Sequence, residues 1–157
     1  MSQTAVETDL DTLAAFPAAL QQQLHGHSDT ALRHRPAGEW SSIENVGHLI
    51  DIEAIWMGRF QQMLSTENPT FLPADVDEMV RQHDYQHKDL ANLLHTFAEL
   101  RVATIGFLRG LKPLHLERPG IHPLRGPMTV ASGIGIMANH DRLHSAQIAK
   151  TLADYKT

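Results

Sequence analysis

The sequence contains no cysteine. That excludes disulfides, thiolate metal ligands and any thiol nucleophile supplied by the chain, and it leaves the redox compartment undecided. Aromatic residues make up only 6% of the chain, and they fall with leucines and methionines at helical spacing, as core residues do. No apolar run is long enough to span a bilayer. The start, Met1 to Thr12, is polar and acidic, with no basic region ahead of an apolar run, so no signal peptide is expected. A cytoplasmic protein with no membrane contact is the default. Basic residues are in deficit: 13 Lys and Arg against 18 Asp and Glu give a formal net charge of −5, which argues against non-specific nucleic-acid binding. Strand-like alternation, internal repeats, a Gly-rich phosphate loop, a nucleophile elbow and Glu-x-x-His pairs are all missing. A hydrophobic share of 42% with 20% charged residues is ordinary for a soluble globular protein, and the 157 residues fit a single domain, 1–157.

Histidine is what the chain has in excess, with 11. His140 and His144 stand four residues apart in the last predicted helix. On a helix that spacing stacks both imidazoles on one face, a turn apart. Val130, Gly133, Met137, His140, His144, Ile148, Thr151 and Tyr155 recur at three- and four-residue steps, so the two histidines point inward. There an unpaired polar group is costly. Such a pair is either satisfied by hydrogen bonds or binds one divalent metal with a third ligand from elsewhere, and the phase favours the metal. A second pair of this spacing, His83 and His87, is also inward by phase. The alternative for it is a polar helix start where the bundle end meets solvent. Both pairs read His-Asp-x-x-His, but Asp is one methylene shorter than the Glu of the zinc-protease motif, and no sheet accompanies it.

Pattern and punctuation predict four main helices. The first runs from about Val6 to Leu24, interrupted by Pro17, and Gly26 ends it. Arg35 to Gly38 reads as a turn. The second starts at Ser41, where Ser41 and Glu44 fit a capping box, and ends near Leu64. His48 lies at the edge of its apolar face, consistent with lining a groove. The third runs from Asp75 or Asp77 to Leu111, with Val80, His83, His87, Leu90, Leu94, Phe97, Arg101, Thr104 and Leu108 along an inward seam. Arg101, being inward, must pair with a carboxylate or with carbonyls. Lys112 to Pro127 is a long Pro- and Gly-rich connection, a length at which loops are often functional. The fourth helix runs from Met128 or Thr129 to about Asp154. The fold class is therefore all-α, a four-helix bundle with two long connections. Apolar residues on more than one face of the second and third helices, Ile55 and Trp56 among them, suggest a homodimer.

Several stretches together resemble the DinB-like, or YfiT-like, family of four-helix bundles. They are Arg35 to Glu44 with His48-Leu49, then Phe97 and Arg101, then Gly120-Ile121-His122 and Gly126 to Thr129, and last His140 to Ile148. The resemblance implies an up-down-down-up bundle, often dimeric, with a metal triad of one histidine early in the second helix and the pair in the fourth. In this chain those are His48, His140 and His144. It implies nickel, zinc or iron with an open coordination position. The same topology would put His83 and His87 near the pocket. Asp51, one turn after His48, and Asp141 become candidates for hydrogen bonds to the ligand rings, and Gln147 for the pocket wall. The activities implied are diverse: transfer of a low-molecular-weight thiol of the bacillithiol or mycothiol type to a small electrophile, hydrolysis by metal-activated water, or binding without catalysis. With no cysteine in the chain, any thiol would be a cosubstrate.

Overall fold

The computed structural model describes residues 2–155. Four long helices carry the bundle: α1 (Gln3–Leu24), α3 (Ser42–Ser65), α5 (Leu90–Arg109) and α7 (Val130–Asp154). Each begins at a side-chain cap, Ser2, Ser41, Asp89 and Thr129, whose oxygen accepts a backbone N–H of the first turn. The capping box at Ser41 is present, and Arg35 pairs with the Glu44 carboxylate behind it. Between the long helices lie α2 (Asp29–Arg33), α4 (Val76–His83) and α6 (Pro113–Leu116). No described helix is long and apolar enough to cross a membrane.

Polar contacts at the helix ends set the directions. Ser41 Oγ, at the start of α3, donates to Gln86 Oε1 just ahead of α5 at 2.7 Å, so α3 and α5 begin at the same end. Arg109, closing α5, pairs with Asp11 early in α1 at 2.7 Å, so those two are antiparallel. Gln23, ending α1, donates to the Ser145 carbonyl late in α7 at 2.8 Å, so those two run together. The order is up-down-down-up. α1 and α3 each pack on α5 and α7, which puts the sequence neighbours α1 and α3 on a diagonal.

The core has two apolar halves. One gathers Leu10, Trp56, Phe60, Met63, Ile105 and Ile134; the other Leu20, Leu24, Leu49, Leu93, Phe97 and Ile148. Burying each such side chain contributes about 1.5–3 kcal/mol. A charged layer lies between them along every long helix. Arg101 is 2% exposed, and its Nε donates to both Glu53 carboxylate oxygens at 3.0 and 3.1 Å. Its Nη1 and Nη2 donate to Asp141 at 2.7 and 3.2 Å. Nη1 also donates to the Leu13 carbonyl at 2.9 Å. That carbonyl is free because the residue four ahead is Pro17, which has no N–H to give it. α1 runs unbroken through Pro17, where an interruption was expected. The inward Arg101 does find its carboxylates, as its helical phase requires.

Three further sequence expectations need correction. The third predicted helix is two. Asp84 adopts a left-handed conformation, φ 51° and ψ 46°, which a short polar side chain tolerates. A 3-10 turn over Tyr85–His87 follows, and Asp89 caps α5 afresh. That break rotates His87 out to solvent, where it pairs with Asp84, and turns Leu93 rather than Leu94 fully inward. Second, the connection from Lys112 to Pro127 is structured. β1 (Pro119–His122) pairs antiparallel with β2 (Gly126–Thr129), and Gly126 takes the positive φ of 74° that closes the hairpin. Four-residue strands with a proline each leave too little alternation to read. Third, Trp56 is not a surface residue. It is 3% exposed and packs in the core, so it gives no support to a second copy.

Candidate metal centre

His48 stands in the second turn of α3, and His140 and His144 in successive turns of the antiparallel α7. Their rings converge. The Nε2 atom of His140 lies 3.1 Å from that of His48 and 3.1 Å from that of His144, and the three donor atoms all fall within 4.8 Å of one another. Tetrahedral bonds of about 2.0–2.1 Å to a common ion would place such nitrogens about 3.3 Å apart. The donor set thus has the spacing a divalent metal requires. His48 is buried and the other two half-buried. Trp40, just ahead of the α3 cap, covers one side, its ring centroid 4.6 Å from that of His48 and 6.2 Å from that of His144.

Electrostatics keep the cluster neutral. Burial, then the neighbouring His144 and His140, push His48 down to about 2. Burial, then His144, Arg101 and Arg125, push His140 down to about 3. Burial alone pushes His144 down to about 4. At neutral pH all three are free imidazoles, the form that binds metal.

One tautomer is fixed by the backbone. Asn45 donates its Nδ2 to the Ser41 carbonyl at 3.0 Å, which turns its Oδ1 toward His144 Nδ1 at 2.8 Å. Nδ1 of His144 must then carry the proton, and its Nε2 lone pair faces the other two rings. Nδ1 of His48 and of His140 is buried without a hydrogen-bond partner.

Beside the cluster lies a second polar group. Tyr85 donates its hydroxyl to Asp51 Oδ1 at 2.7 Å, and His83 Nδ1 sits 3.0 Å from both oxygens. The Tyr85 ring packs flat on Gly47, where a Cβ would come within 2.1 Å of it. Burial, then the bond to Asp51, raises the Tyr85 phenol above its usual range.

Of the residues singled out in the sequence, His48, His140 and His144 come together. Asp51 and His83 meet each other one turn from His48, with no bond from Asp51 to that ring. His87 points away. Asp141 neither contacts a cluster ring nor faces solvent; it belongs to the Arg101 layer. Gln147 is half-buried and makes no hydrogen bond to the cluster. Sequence reasoning missed Asn45. The signal was a polar residue in the capped first turn, one turn before His48, on a helix face that is otherwise inward.

The architecture defines a class: an up-down-down-up four-helix bundle whose second and last long helices bring three imidazoles to one point. Residues 12–148 match the model of the DinB superfamily. The chain belongs to that family. A protein of Oceanobacillus iheyensis named as a candidate metal-dependent hydrolase is 30% identical over 76% of this chain and 67% of its own length. One from Bacillus mycoides, named likewise, is 28% identical over 71% of this chain and 64% of its own length. The chain thus spans about two thirds of the curated relatives it matches. Among solved structures, YfiT from Bacillus subtilis superimposes with a TM-score of 0.90 at 25% identity, over 96% of this chain and 87% of that one. It is described as a candidate metal-dependent hydrolase with a four-helix bundle of unusual topology.

Proposed function

We propose that this chain is a metal-dependent enzyme that activates an exogenous nucleophile at His48, His140 and His144. The carrying observation is the convergence of three neutral Nε2 atoms, one of them aimed by the Asn45 amide. A divalent ion such as zinc, nickel or iron held there would lower the pKa of a coordinated water or thiol and supply a nucleophile at neutral pH. The chain's own part is to hold the imidazoles neutral and to position a small electrophile. Asp51 Oδ2 is buried and unpartnered, so it can accept a proton from a bound group while Tyr85 and His83 hold Oδ1.

Hydrolysis is the reading favoured by the names of the relatives. Transfer of a low-molecular-weight thiol to a small electrophile is the second, supported by the family resemblance; with no cysteine in the chain, the thiol would be a cosubstrate. One assay separates them. Metal-loaded protein is offered a panel of esters, amides and thiol-reactive electrophiles, with and without added thiol. Turnover abolished by a chelator and independent of thiol is the expected result for a hydrolase. Turnover only with thiol makes it a transferase. No turnover in either arm leaves a binding protein and sinks the enzymatic reading.

We also propose a homodimer, now supported by the family resemblance and not by Trp56. Sedimentation at micromolar concentration is expected to give twice the chain mass; the mass of one chain would reject it.

A further inference from the structure

Arg59 is buried without a counter-ion. It lies on α3 eleven residues beyond His48, on the same helix face and about 16 Å further along. It is 9% exposed, and among the described residues no carboxylate lies within ion-pair distance of it. The buried acids of the same helix are engaged elsewhere, Glu53 by Arg101 and Asp51 by Tyr85. Its guanidinium lies 5.2 Å from the Trp56 ring centroid and 5.4 Å from that of Phe71, which fixes its plane. A desolvated cation left so is unfavourable unless something anionic completes it. Burial alone holds its pKa below the usual arginine value.

Its one hydrogen-bond partner among the described residues, His122, carries no negative charge to offset it. Arg59 Nη1 sits 3.1 Å from His122 Nε2, while the Leu124 backbone N–H donates to His122 Nδ1 at 3.2 Å. A neutral imidazole accepts at only one nitrogen. Whichever nitrogen accepts, the other carries the proton, so His122 cannot satisfy both donors, and neither tautomer gives the guanidinium a negative partner. Arg59 and His122 open on a cavity of about 310 Å³ whose other walls are apolar, Ile52, Ile55, Val76, Pro73 and Leu124. Ile52 stands one turn beyond His48 on α3, so the cavity extends from Arg59 toward the cluster. Arg125, in the hairpin loop, lies close enough to both sites to depress His122 and His140 alike.

We propose that Arg59 and His122 form a carboxylate-binding subsite, so that the substrate is a small monoanionic acid with an apolar body. A carboxylate matches the planar guanidinium fork, and once its oxygens take the Arg59 N–H groups, His122 can accept from Leu124 at Nδ1 and donate its Nε2–H to the remaining lone pairs. Arg125 is exposed and solvated, so one negative charge neutralises the one buried cation; a phosphate dianion would bring unpaired charge and a tightly held water shell into apolar walls. That a carboxylate binds here does not depend on the metal. That it is the substrate's carboxylate rests on the nucleophile-activating reading above.

The test is calorimetric titration with hexanoate, hexanamide and inorganic phosphate, on zinc-loaded and on chelator-treated protein. Hexanoate is expected to bind in both forms, at least tenfold more tightly than hexanamide or phosphate. Arg59→Met should weaken hexanoate about 10- to 100-fold, the loss of a charge-assisted bond, and leave hexanamide unchanged. Circular dichroism checks that this variant folds. Should it not fold, His122→Phe takes its place, with a smaller loss of hexanoate expected. Equal binding of acid and amide, unaltered hexanoate binding in the variant used, or tighter binding of phosphate would each overturn the proposal. Hexanoate binding lost on chelation would do so too, because the acid would then be a ligand of the metal. Binding that persists in a protein that takes up no metal leaves the subsite standing and removes the metal-centre reading instead.

Discussion

Arg101→Met is expected to cost about 3–5 kcal/mol of folding stability, because it strands two buried carboxylates. Against a total of about 5–15 kcal/mol for a domain, that is a large fraction. For a chain of this length it corresponds to a fall in Tm of roughly 6–20 °C. In the intact protein the single guanidinium serves two acids. Burial would lower its pKa, but pairing with Asp141 and Glu53 holds it above the usual value. Burial, opposed by Arg101 and reinforced by Glu53, raises Asp141 to about 6. Without Arg101 the buried Asp141 loses the partner that opposes its upward shift. Its folded-state pKa then exceeds the unfolded one further, so the native state holds a proton that the unfolded state releases. The deficit is therefore greatest at neutral pH and shrinks on acidification. Thermal unfolding followed by circular dichroism at several pH values measures this. Unchanged stability with lost ligand binding would move Arg101 from the scaffold to the site.

The second large effect is on metal. His140→Ala and His144→Ala are each expected to weaken metal binding more than hundredfold, beyond the roughly 10–100-fold of a lost outer partner. Asn45→Ala should fall within that outer range, since it frees the His144 tautomer without removing a donor. The double variant His83→Ala, His87→Ala should keep its metal, as His87 faces solvent and His83 turns to Asp51. Metal content and equilibrium dialysis decide; loss only in the double variant would show the wrong pair had been chosen. The pH dependence has a definite sign. The three folded-state pKa values, about 2, 3 and 4, lie below the usual 6.5, so the unfolded chain takes up protons first. In the metal-free protein the contribution of these three histidines to stability is fully present above pH 6.5. That contribution falls by up to about 1.4 kcal/mol per histidine per pH unit below that. Proton competition for the metal sets in well below the range of a free histidine.

Sequence periodicity carried the helical content a long way. His140 and His144 share a face because four residues make just over a turn, and that arithmetic survives folding. Arg101 was legible as an inward cation in need of acids, but which acids was not. Glu53 and Asp141 sit on other helices, and only the up-down-down-up packing brings them together. Asp141 illustrates the difficulty: its sequence neighbour is a candidate ligand, yet it turns the other way, toward the core. His87 was misplaced for a local reason. A seam drawn through Asp84 assumes an unbroken helix, and one left-handed residue resets the phase of everything after it. The hairpin at Pro119–Thr129 was hidden because its strands are too short for alternation to register, so the His122 side of the Arg59 cavity was hidden with it.

Pro17 has a consequence that reaches beyond α1. Every other interior carbonyl of a regular helix is already taken by the N–H one turn ahead. Only the carbonyl at Leu13 is open, so Arg101 can dock at one height on that helix and at no other. Sliding α1 by a turn would present the guanidinium with an occupied oxygen and leave its own open one facing apolar side chains. The proline thus acts as a key cut at a single position, setting the axial placement of the first helix in the assembled bundle. With that placement come two other meetings along the helix, Asp11 with Arg109 and Gln23 with Ser145.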